Sequence, residues 1–359
     1  HDRIIIEPAR GCIRGCRFCQ AGMVYRPVRE RSPETLSRQA KALADATGFD
    51  EISMCSLSIS DYSRLSELTG TLLDWTDPRK ISLSLPSLRA DSFTKELMER
   101  TSTIRASGLT FAPEAGTQRL RNVINKNVTE EEIISACRLA FEAGRSQVKL
   151  YFMQGHPTET PEDLEGIGLL AKHVLDAYYS PGVKRARQPQ VTVSVACFIP
   201  KPFTPFQWEA QDDLDTMLEK QKYVGEHILD RKVRYHWHDA KVSRIEAVFA
   251  RGDRRLSKAL LASYRAGGRF DSWDEHFSYD RWMEAFASAD LDPAFYANRA
   301  FGEDEVLPWD VIDCGVSKAF LLRERHRAYR GETTRNCAEA CSGCGANQWK
   351  GDCTWCPQQ

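Results

Sequence analysis

Three cysteines near the start of the chain constrain this sequence more than any other feature. Cys12, Cys16 and Cys19 lie within eight residues and have the spacing Cys-x3-Cys-x2-Cys. Three thiolates on one short loop can bind three irons of a four-iron–four-sulfur cluster. The fourth iron then has no protein ligand, and an open coordination position is where a small molecule can bind and react.

Two other roles for the three cysteines are weaker. A structural zinc site normally has four ligands, and the next histidine after this loop, His156, lies far along the chain. A disulfide between two of the three would close a small, strained ring and would leave an odd cysteine. The spacing therefore favours an iron–sulfur cluster, with zinc as the weaker alternative.

The cysteine loop resembles the motif of the radical S-adenosylmethionine (SAM) superfamily. The spacing of Cys12, Cys16 and Cys19 is that of the superfamily, and Phe18 is the aromatic residue usually found before the third cysteine. The resemblance implies that the methionine part of SAM binds the open iron. It also implies that one electron from the cluster cleaves SAM to a 5′-deoxyadenosyl radical. The cofactors would supply this chemistry, and the protein would bind and orient them.

Length and composition are those of a globular protein with a large core. The chain has 359 residues, 42% hydrophobic residues, 28% charged residues and a formal net charge of −1. We find no apolar run long enough to span a membrane and no signal peptide. Twelve cysteines without an export signal indicate reduced, metal-binding thiols in the cytoplasm. The first residue is His, so we interpret the sequence as a piece of a longer protein.

Six short β-branched or apolar runs alternate with amphipathic helical patterns over the first two hundred residues. This alternation predicts an α/β fold with a parallel sheet and right-handed crossovers. The pattern alone leaves open a doubly wound sheet, whereas the resemblance implies the partial (β/α)6 TIM-like barrel of radical SAM cores. Cys55, Cys137 and Cys197 are expected in the core. The predicted strands cover residues 3–8, 51–57, 81–86, 108–111, 147–153 and 190–198, with a helix around Phe93, Leu97 and Met98.

The loops after these strands should meet at one edge of the sheet and carry the site. By the resemblance, Ser58 in SLSISDY replaces a glycine-rich turn that contacts the SAM amino group, with helix capping by Ser60 or Asp61 as the alternative. Glu114 in LTFAPEAGTQ is expected to contact the SAM ribose or amino group, and otherwise is a surface glutamate. Gln154 is a further polar candidate, and His156 is interpreted as a turn residue.

The resemblance extends to one uncharacterised subgroup of radical SAM proteins, which carry a cobalamin-binding-type domain before the radical SAM core. The segments GCIRGCRFCQAGMVYRPVRERS, SLSISDY, LTFAPEAGTQRLRNVINKNVTEEE and KPFTPFQW carry this resemblance. It implies a link to cobalamin through an N-terminal domain that is missing here. We predict three units: a radical SAM core at 1–230, a strand and helical subdomain at 231–330, and a metal-binding tail at 331–359.

The second half of the chain offers weaker signals. KVRYHWHD at 232–239 predicts a further strand with His236 and His238 on one face, a pair that is more often structural than metal-binding. Residues 231–269 hold eleven Lys or Arg against three Asp or Glu, which suggests nucleic acid as one partner and solvated helix faces as the alternative. Amphipathic helices are predicted at 247–266, 273–289 and 316–330.

The tail repeats the spacing of the first motif. Cys337-x3-Cys341-x2-Cys344 is followed by Cys353-x2-Cys356, and Cys314 lies upstream. Five cysteines in twenty residues indicate a metal site, either an auxiliary iron–sulfur cluster or a zinc knuckle formed by two CxxC pairs. The spacing slightly favours the cluster, and the missing strand–helix context argues against a second SAM site.

The sequence therefore predicts a radical SAM enzyme of unknown substrate. Methyl or sulfur transfer to RNA or to a tetrapyrrole-like compound would fit, with flavodoxin or ferredoxin as the electron donor. The alternative is a non-catalytic zinc or iron–sulfur module that binds nucleic acid through the basic stretch and the tail.

Overall fold

The computed structural model describes residues 2–85, 109–183 and 187–348, which form nine strands and twelve α-helices. The helix predicted around Phe93, Leu97 and Met98 lies outside these residues, as do Cys353 and Cys356. The strands are β1 (Ile4–Ile6), β2 (Ala9–Arg10), β3 (Arg29–Glu30), β4 (Glu51–Met54), β5 (Ser82–Ser84), β6 (Leu109–Glu114), β7 (Gln147–Gln154), β8 (Gln190–Cys197) and β9 (Val233–Trp237).

The helices lie mostly between successive strands in the first two-thirds of the chain and then follow one another without strands. They are α1 (Gln20–Val24), α2 (Pro33–Thr47), α3 (Leu65–Arg79), α4 (Gln118–Val123), α5 (Glu130–Glu142), α6 (Pro161–Tyr178), α7 (Leu214–Glu226), α8 (Ala240–Arg251), α9 (Leu256–Arg265), α10 (Tyr279–Ser288), α11 (Pro293–Ala297) and α12 (Lys318–Tyr329).

Seven strands form two parallel sheets that follow the order of the chain. One sheet has the order β1-β4-β5 and the other β6-β7-β8-β9, and every pairing within them is parallel. A helix between successive parallel strands is the arrangement that the sequence pattern predicts. The α/β fold class is thus confirmed. The strands of the two parallel sheets are the strands of the partial barrel. The strand predicted at 232–239 is β9, the last strand of the second sheet.

Alternating side chains of the strands build the core. Val191, Val193 and Val195 of β8 are buried and pack with β7, α5 and α6. Cys137 and Cys197 are buried as expected. The expectation was wrong for Cys55, which is exposed because β4 ends at Met54 and the chain leaves the sheet there.

Helix caps follow the sequence signals. The Ser32 hydroxyl accepts a hydrogen bond from the Thr35 backbone at 3.3 Å, and Gly48 ends α2 with φ at 71°. Thr129 and Glu132 form the predicted capping box at the start of α5. These local bonds fix where the helices begin and end relative to the strands.

The helical part after β9 differs from prediction at one point. The pattern at 247–266 predicts one helix, but the chain forms α8 and α9 with a break at Gly252. A Cβ at Gly252 would lie 2.7 Å from the Val248 carbonyl oxygen, so the close contact with the backbone there requires glycine. Helices α8 to α11 form a separate apolar cluster around Val248, Trp282 and Phe286. Within the described residues, no helix has the length and apolar character needed to cross a membrane.

Candidate active site

A tight loop between two short strands carries the three N-terminal cysteines. Strands β2 and β3 pair antiparallel on either side of it, and Gly11 begins it with φ at 92°. A Cβ at Gly11 would lie 2.7 Å from the Tyr25 carbonyl oxygen, so only glycine allows this approach. The Cys19 amide donates to the Cys16 carbonyl at 3.2 Å, and the Cys19 Sγ accepts from the Gly22 amide at 3.3 Å as the cap of α1.

The three cysteines line one cavity of about 390 Å³ at the carboxyl ends of the parallel strands. The loop after β4 contributes Leu57 and Ser58 to its wall. On the opposite side, β6 and the segment after α4 contribute apolar and charged side chains. The other lining residues are Arg14 and Phe18 of the cysteine loop and, on the opposite side, Thr110, Phe111, Ala112, Pro113, Glu114, Lys126, Val128 and Ile133.

The chemistry of the three thiols fits a cluster of soft metal ions. Cys12, Cys16 and Cys19 are not joined in disulfides. Burial, together with the neighbouring Cys16, raises the pKa of Cys12 to about 12 and also raises that of Cys19. Thiolates at these positions therefore need a cation to stabilise them, as iron would do. No three His, Cys, Asp or Glu side chains of the described part are arranged to hold a single metal ion.

Two aromatic rings and a buried histidine form one end of the site. The His156 ring lies 5.8 Å from the ring of Phe18 and 5.3 Å from that of Phe198, centroid to centroid. Neither His156 nitrogen has a hydrogen-bond partner among the described residues. Burial lowers the pKa of His156 to about 3, so this ring is neutral at ordinary pH. Phe18 lines the cavity, and His156 lies behind it.

Glu114 projects into the cavity from an irregular strand end. The pairing of β6 with β7 shifts register between Phe111 and Glu114, and Glu114 has φ at 68°, which is uncommon for a residue other than glycine. Its Oε1 accepts a hydrogen bond from the Lys126 Nζ at 3.1 Å. Backbone strain of this kind collects at functional sites, because surrounding packing must hold it in place.

Two further polar groups lie at the cavity wall. The Ser58 side chain is buried, and its Oγ has no hydrogen-bond partner among the residues that the structure describes. Arg14 forms a bidentate ion pair with Asp61, whose side chain is 8% exposed. Sequence reasoning missed Arg14 and Lys126. The position of Arg14 inside the cysteine loop is a signal that could have identified it.

Gln154 does not line this cavity. Its Nε2 donates to the Met217 carbonyl at 2.8 Å, and the side chain is buried against α7. Glu159 also turns away, since its carboxylate accepts from the Gly155 amide and pairs with Lys220 at 2.9 Å. The structure thus brings together the three cysteines, Phe18, Ser58 and Glu114, but not Gln154.

The two strand histidines lie in different surroundings. His236 is exposed on β9, whereas His238 follows the strand, and its Nδ1 lies 2.8 Å from the Ser243 Oγ. Neither histidine lines the cysteine cavity.

The described tail cysteines lie against the N-terminal cysteine loop. The Cys337 amide donates to the Ile13 carbonyl at 2.9 Å. Cys337, Cys341 and Cys344 line a second, smaller cavity, of which Cys12 forms part of the wall. The two motifs with the same spacing are therefore neighbours in space, although more than three hundred residues separate them in sequence.

The sequence profile of the radical SAM superfamily matches residues 6–171, which include all three N-terminal cysteines and the residues around their cavity. Together with the parallel α/β fold, this match defines the class: residues 6–171 of the chain are a domain of the radical SAM superfamily.

Two curated relatives from Methanocaldococcus jannaschii are similar to this chain. One is an uncharacterized protein, 36% identical over 256 residues, which are 71% of this chain and 53% of that protein. The other, whose name proposes a methylthiotransferase, is 25% identical over 171 residues, which are 45% of this chain and 37% of that protein. The chain spans about half the length of the first relative and less of the second.

Solved structures of radical SAM enzymes also resemble the chain. The methyltransferase TsrM from Kitasatospora setae, with cobalamin and a [4Fe-4S] cluster, is 16% identical with a TM-score of 0.43, covering 57% of this chain and 38% of that one. The cobalamin-dependent enzyme OxsB is 14% identical with a TM-score of 0.41, and the match covers 91% of this chain and 53% of that one. These scores are too low to assign a reaction.

Proposed function

We propose that this chain is the radical SAM part of an enzyme that cleaves S-adenosylmethionine reductively. Cys12, Cys16 and Cys19 would hold a four-iron–four-sulfur cluster, and SAM would occupy the adjoining cavity. The observation that carries the proposal is that all three thiols line one cavity of about 390 Å³. When bound, the cluster supplies the electron that breaks a carbon–sulfur bond of SAM.

The chain's own residues would bind and orient SAM. The Lys126 ammonium fixes one carboxylate oxygen of Glu114 at 3.1 Å, which orients this group toward a hydroxyl or amino group of the ligand. The buried Ser58 hydroxyl, which lacks a partner among the described residues, can donate to or accept from the ligand. Phe111, Val128 and Ile133 give the cavity an apolar wall that excludes water.

Gln154 is left out of this proposal although the sequence suggested it. Its amide nitrogen already donates to the Met217 carbonyl in a buried contact. Breaking that bond to reach a ligand would forfeit a buried hydrogen bond, which contributes about 0.5–1.5 kcal/mol.

The finer reaction that we propose is transfer of a methyl or sulfur group to an unactivated carbon. The name of the second relative supports a group transfer of this kind, over less than half of this chain.

RNA and tetrapyrrole-like compounds remain our candidate substrates, with flavodoxin or ferredoxin as the electron donor. Cobalamin would enter through a domain before residue 1. We also propose that the chain is divided into three units, with boundaries after residues 230 and 330.

The experiment is anaerobic reconstitution with iron and sulfide, followed by dithionite, SAM and measurement of 5′-deoxyadenosine. We expect brown protein that forms 5′-deoxyadenosine, and a loss of at least a hundredfold for Cys16→Ala. Cys55→Ala is the matched control, because Cys55 is exposed and does not line the cavity. Equal loss in both variants, or full activity of Cys16→Ala, would contradict the assignment.

A colourless protein that binds only zinc and shifts RNA in a gel would instead favour the non-catalytic module. The basic stretch at 231–269 is the feature to neutralise in that case.

A further inference from the structure

Arg26 is a buried cation without a carboxylate partner among the described residues. It follows α1 and is 7% exposed. Its Nε donates to the Gly22 carbonyl at 3.0 Å and its Nη2 to the Arg14 carbonyl at 3.1 Å, whereas Nη1 has no hydrogen-bond partner within the described part of the chain. A buried charge without an opposite charge costs several kcal/mol. An anion is therefore expected beside this guanidinium.

The groups that face Arg26 are cysteine sulfurs. Arg26, Cys12 and the three described tail cysteines line the same small cavity. Neutral thiols would not compensate a buried guanidinium, whereas thiolates bound to a metal would, because such centres carry a net negative charge.

Backbone bonds hold the tail cysteines in this position. The Cys337 amide donates to the Ile13 carbonyl, and the Cys344 carbonyl accepts from the Ser317 amide, both at 2.9 Å. The Arg323 Nη2 donates to the Ser342 carbonyl at 2.8 Å, which fixes the turn between Cys341 and Cys344. These contacts hold the backbone that carries the three sulfurs.

We propose that Cys337, Cys341 and Cys344 are ligands of a second iron–sulfur cluster beside the first, and that Arg26 is its positioning charge partner. The spacing Cys-x3-Cys-x2-Cys, identical to that of the N-terminal loop, is the reason for iron–sulfur rather than zinc. The inference deepens the proposed function, since the second cluster adjoins the first, but the tail site does not depend on SAM cleavage.

The role of Arg26 follows from its charge. Reduction adds negative charge to a cluster, and a nearby buried cation stabilises the reduced form. Replacing Arg26 by Met should therefore move the reduction potential of the tail cluster to more negative values. Arg26→Lys keeps the charge and should restore most of the wild-type potential, which a merely structural role would not explain.

The test uses the full chain, reconstituted anaerobically, with iron, zinc and acid-labile sulfide measured per chain. We expect Cys341→Ala to lose about half of the iron and sulfide, because one of two equal clusters would be lost. Cys341 is exposed, so this change should leave folding intact. Cys16→Ala should lose the other half and keep the tail signal in electron paramagnetic resonance, even if SAM is never cleaved.

Three results would overturn the inference. They are unchanged iron in Cys341→Ala, zinc in place of iron at the tail cysteines, and an unchanged potential of the tail cluster in Arg26→Met that circular dichroism shows to be folded. Loss of SAM cleavage alone, with the tail cluster intact, would count against the proposed function and not against this site.

Discussion

Single residues show how similar sequence positions acquire different roles. Glu114 and Gln154 are the last residues of neighbouring strands, β6 and β7. The register shift after Phe111 and the positive φ of Glu114 turn that side chain into the cavity. Strand β7 is regular, so the Gln154 side chain lies on the same face of the strand as those of Leu150 and Phe152, in the core. The sequence indicates polar strand ends, and Pro113, which has no amide hydrogen for strand pairing, is the visible signal for the irregularity.

His156 should make the protein sensitive to acid. Its pKa is lowered by burial to about 3, against 6.5 for an exposed histidine. Between these values the unfolded chain binds a proton that the folded chain does not, so stability falls as the pH falls through this window. The effect is at most about 1.4 kcal/mol per pH unit. Phenylalanine at this position would remove the titrating group and keep contacts with Phe18 and Phe198.

The measurement is urea unfolding of the metal-free protein at pH 6.5, 5.5 and 4.5. We expect His156→Phe to lose less stability with acid than the wild type does. His236→Phe is the control, because His236 is exposed on β9 and should follow the wild type. Parallel pH dependence in all three proteins would show that His156 is not the group responsible.

At the level of elements, two glycines, Gly116 after β6 and Gly166 in α6, allow the end of β6 to pack closely against the start of α6. A Cβ at Gly116 would lie 2.3 Å from the Asp163 carbonyl oxygen, and one at Gly166 would lie 2.9 Å from the carbonyl carbon of Gly116. This close packing places the loop that follows Glu114 directly against the first turns of α6. The same loop carries Thr117, which caps α4 and hydrogen-bonds Asp163.

Gly116→Ala should destabilise the protein by about 1–3 kcal/mol, because the added methyl group forces α6 away from the loop. Gly302→Ala is the matched control, since the nearest atom to a Cβ there is 3.8 Å away and the backbone is not left-handed. Both are measured by chemical denaturation, and equal stability of the two variants would contradict the close packing. The Gly116→Ala variant should also bind SAM more weakly, because the displaced loop distorts the cavity.

Strand and helix positions were largely predictable because the signals are local. Ser32, Thr129 and Gly48 mark helix ends through their own hydrogen bonds or backbone freedom. The two-residue strands β2 and β3 were not predictable, since only tertiary contacts around the cysteine loop stabilise so short a pair. The break at Gly252 was missed because Val248 and Leu256 keep helical spacing on either side of it, although Gly252-Asp253 is a turn signal.

On the scale of the whole molecule, a buried ion pair ties the cysteine loop to the last long helix. Arg17 and Glu324 are both almost fully buried, and the Arg17 Nη2 lies 3.1 Å from the Glu324 Oε2. Arg17 also donates to the carbonyls of Val123 and Glu332, and Thr334 donates its hydroxyl to Glu324. Sequence reasoning could not pair residues 307 positions apart without a local pattern.

Breaking this pair from one side should cost about 3–5 kcal/mol, because an uncompensated buried charge remains. We expect Glu324→Leu to show this loss in chemical denaturation and to lower iron incorporation at the loop. The double variant Arg17→Met with Glu324→Leu should recover much of the stability, since two apolar side chains can replace the pair. A double variant as unstable as the single one would show that packing, not charge, dominates.

The contact between Arg17 and Glu324 also has a consequence for biosynthesis. During synthesis, the cysteine loop is translated before α12, and Glu324, which pairs with Arg17, follows 307 positions later. Until α12 and the tail arrive, the loop lacks its final enclosure and its thiols face the cellular milieu. Iron and sulfide are therefore best delivered to this loop after α12 has been translated and has packed against it.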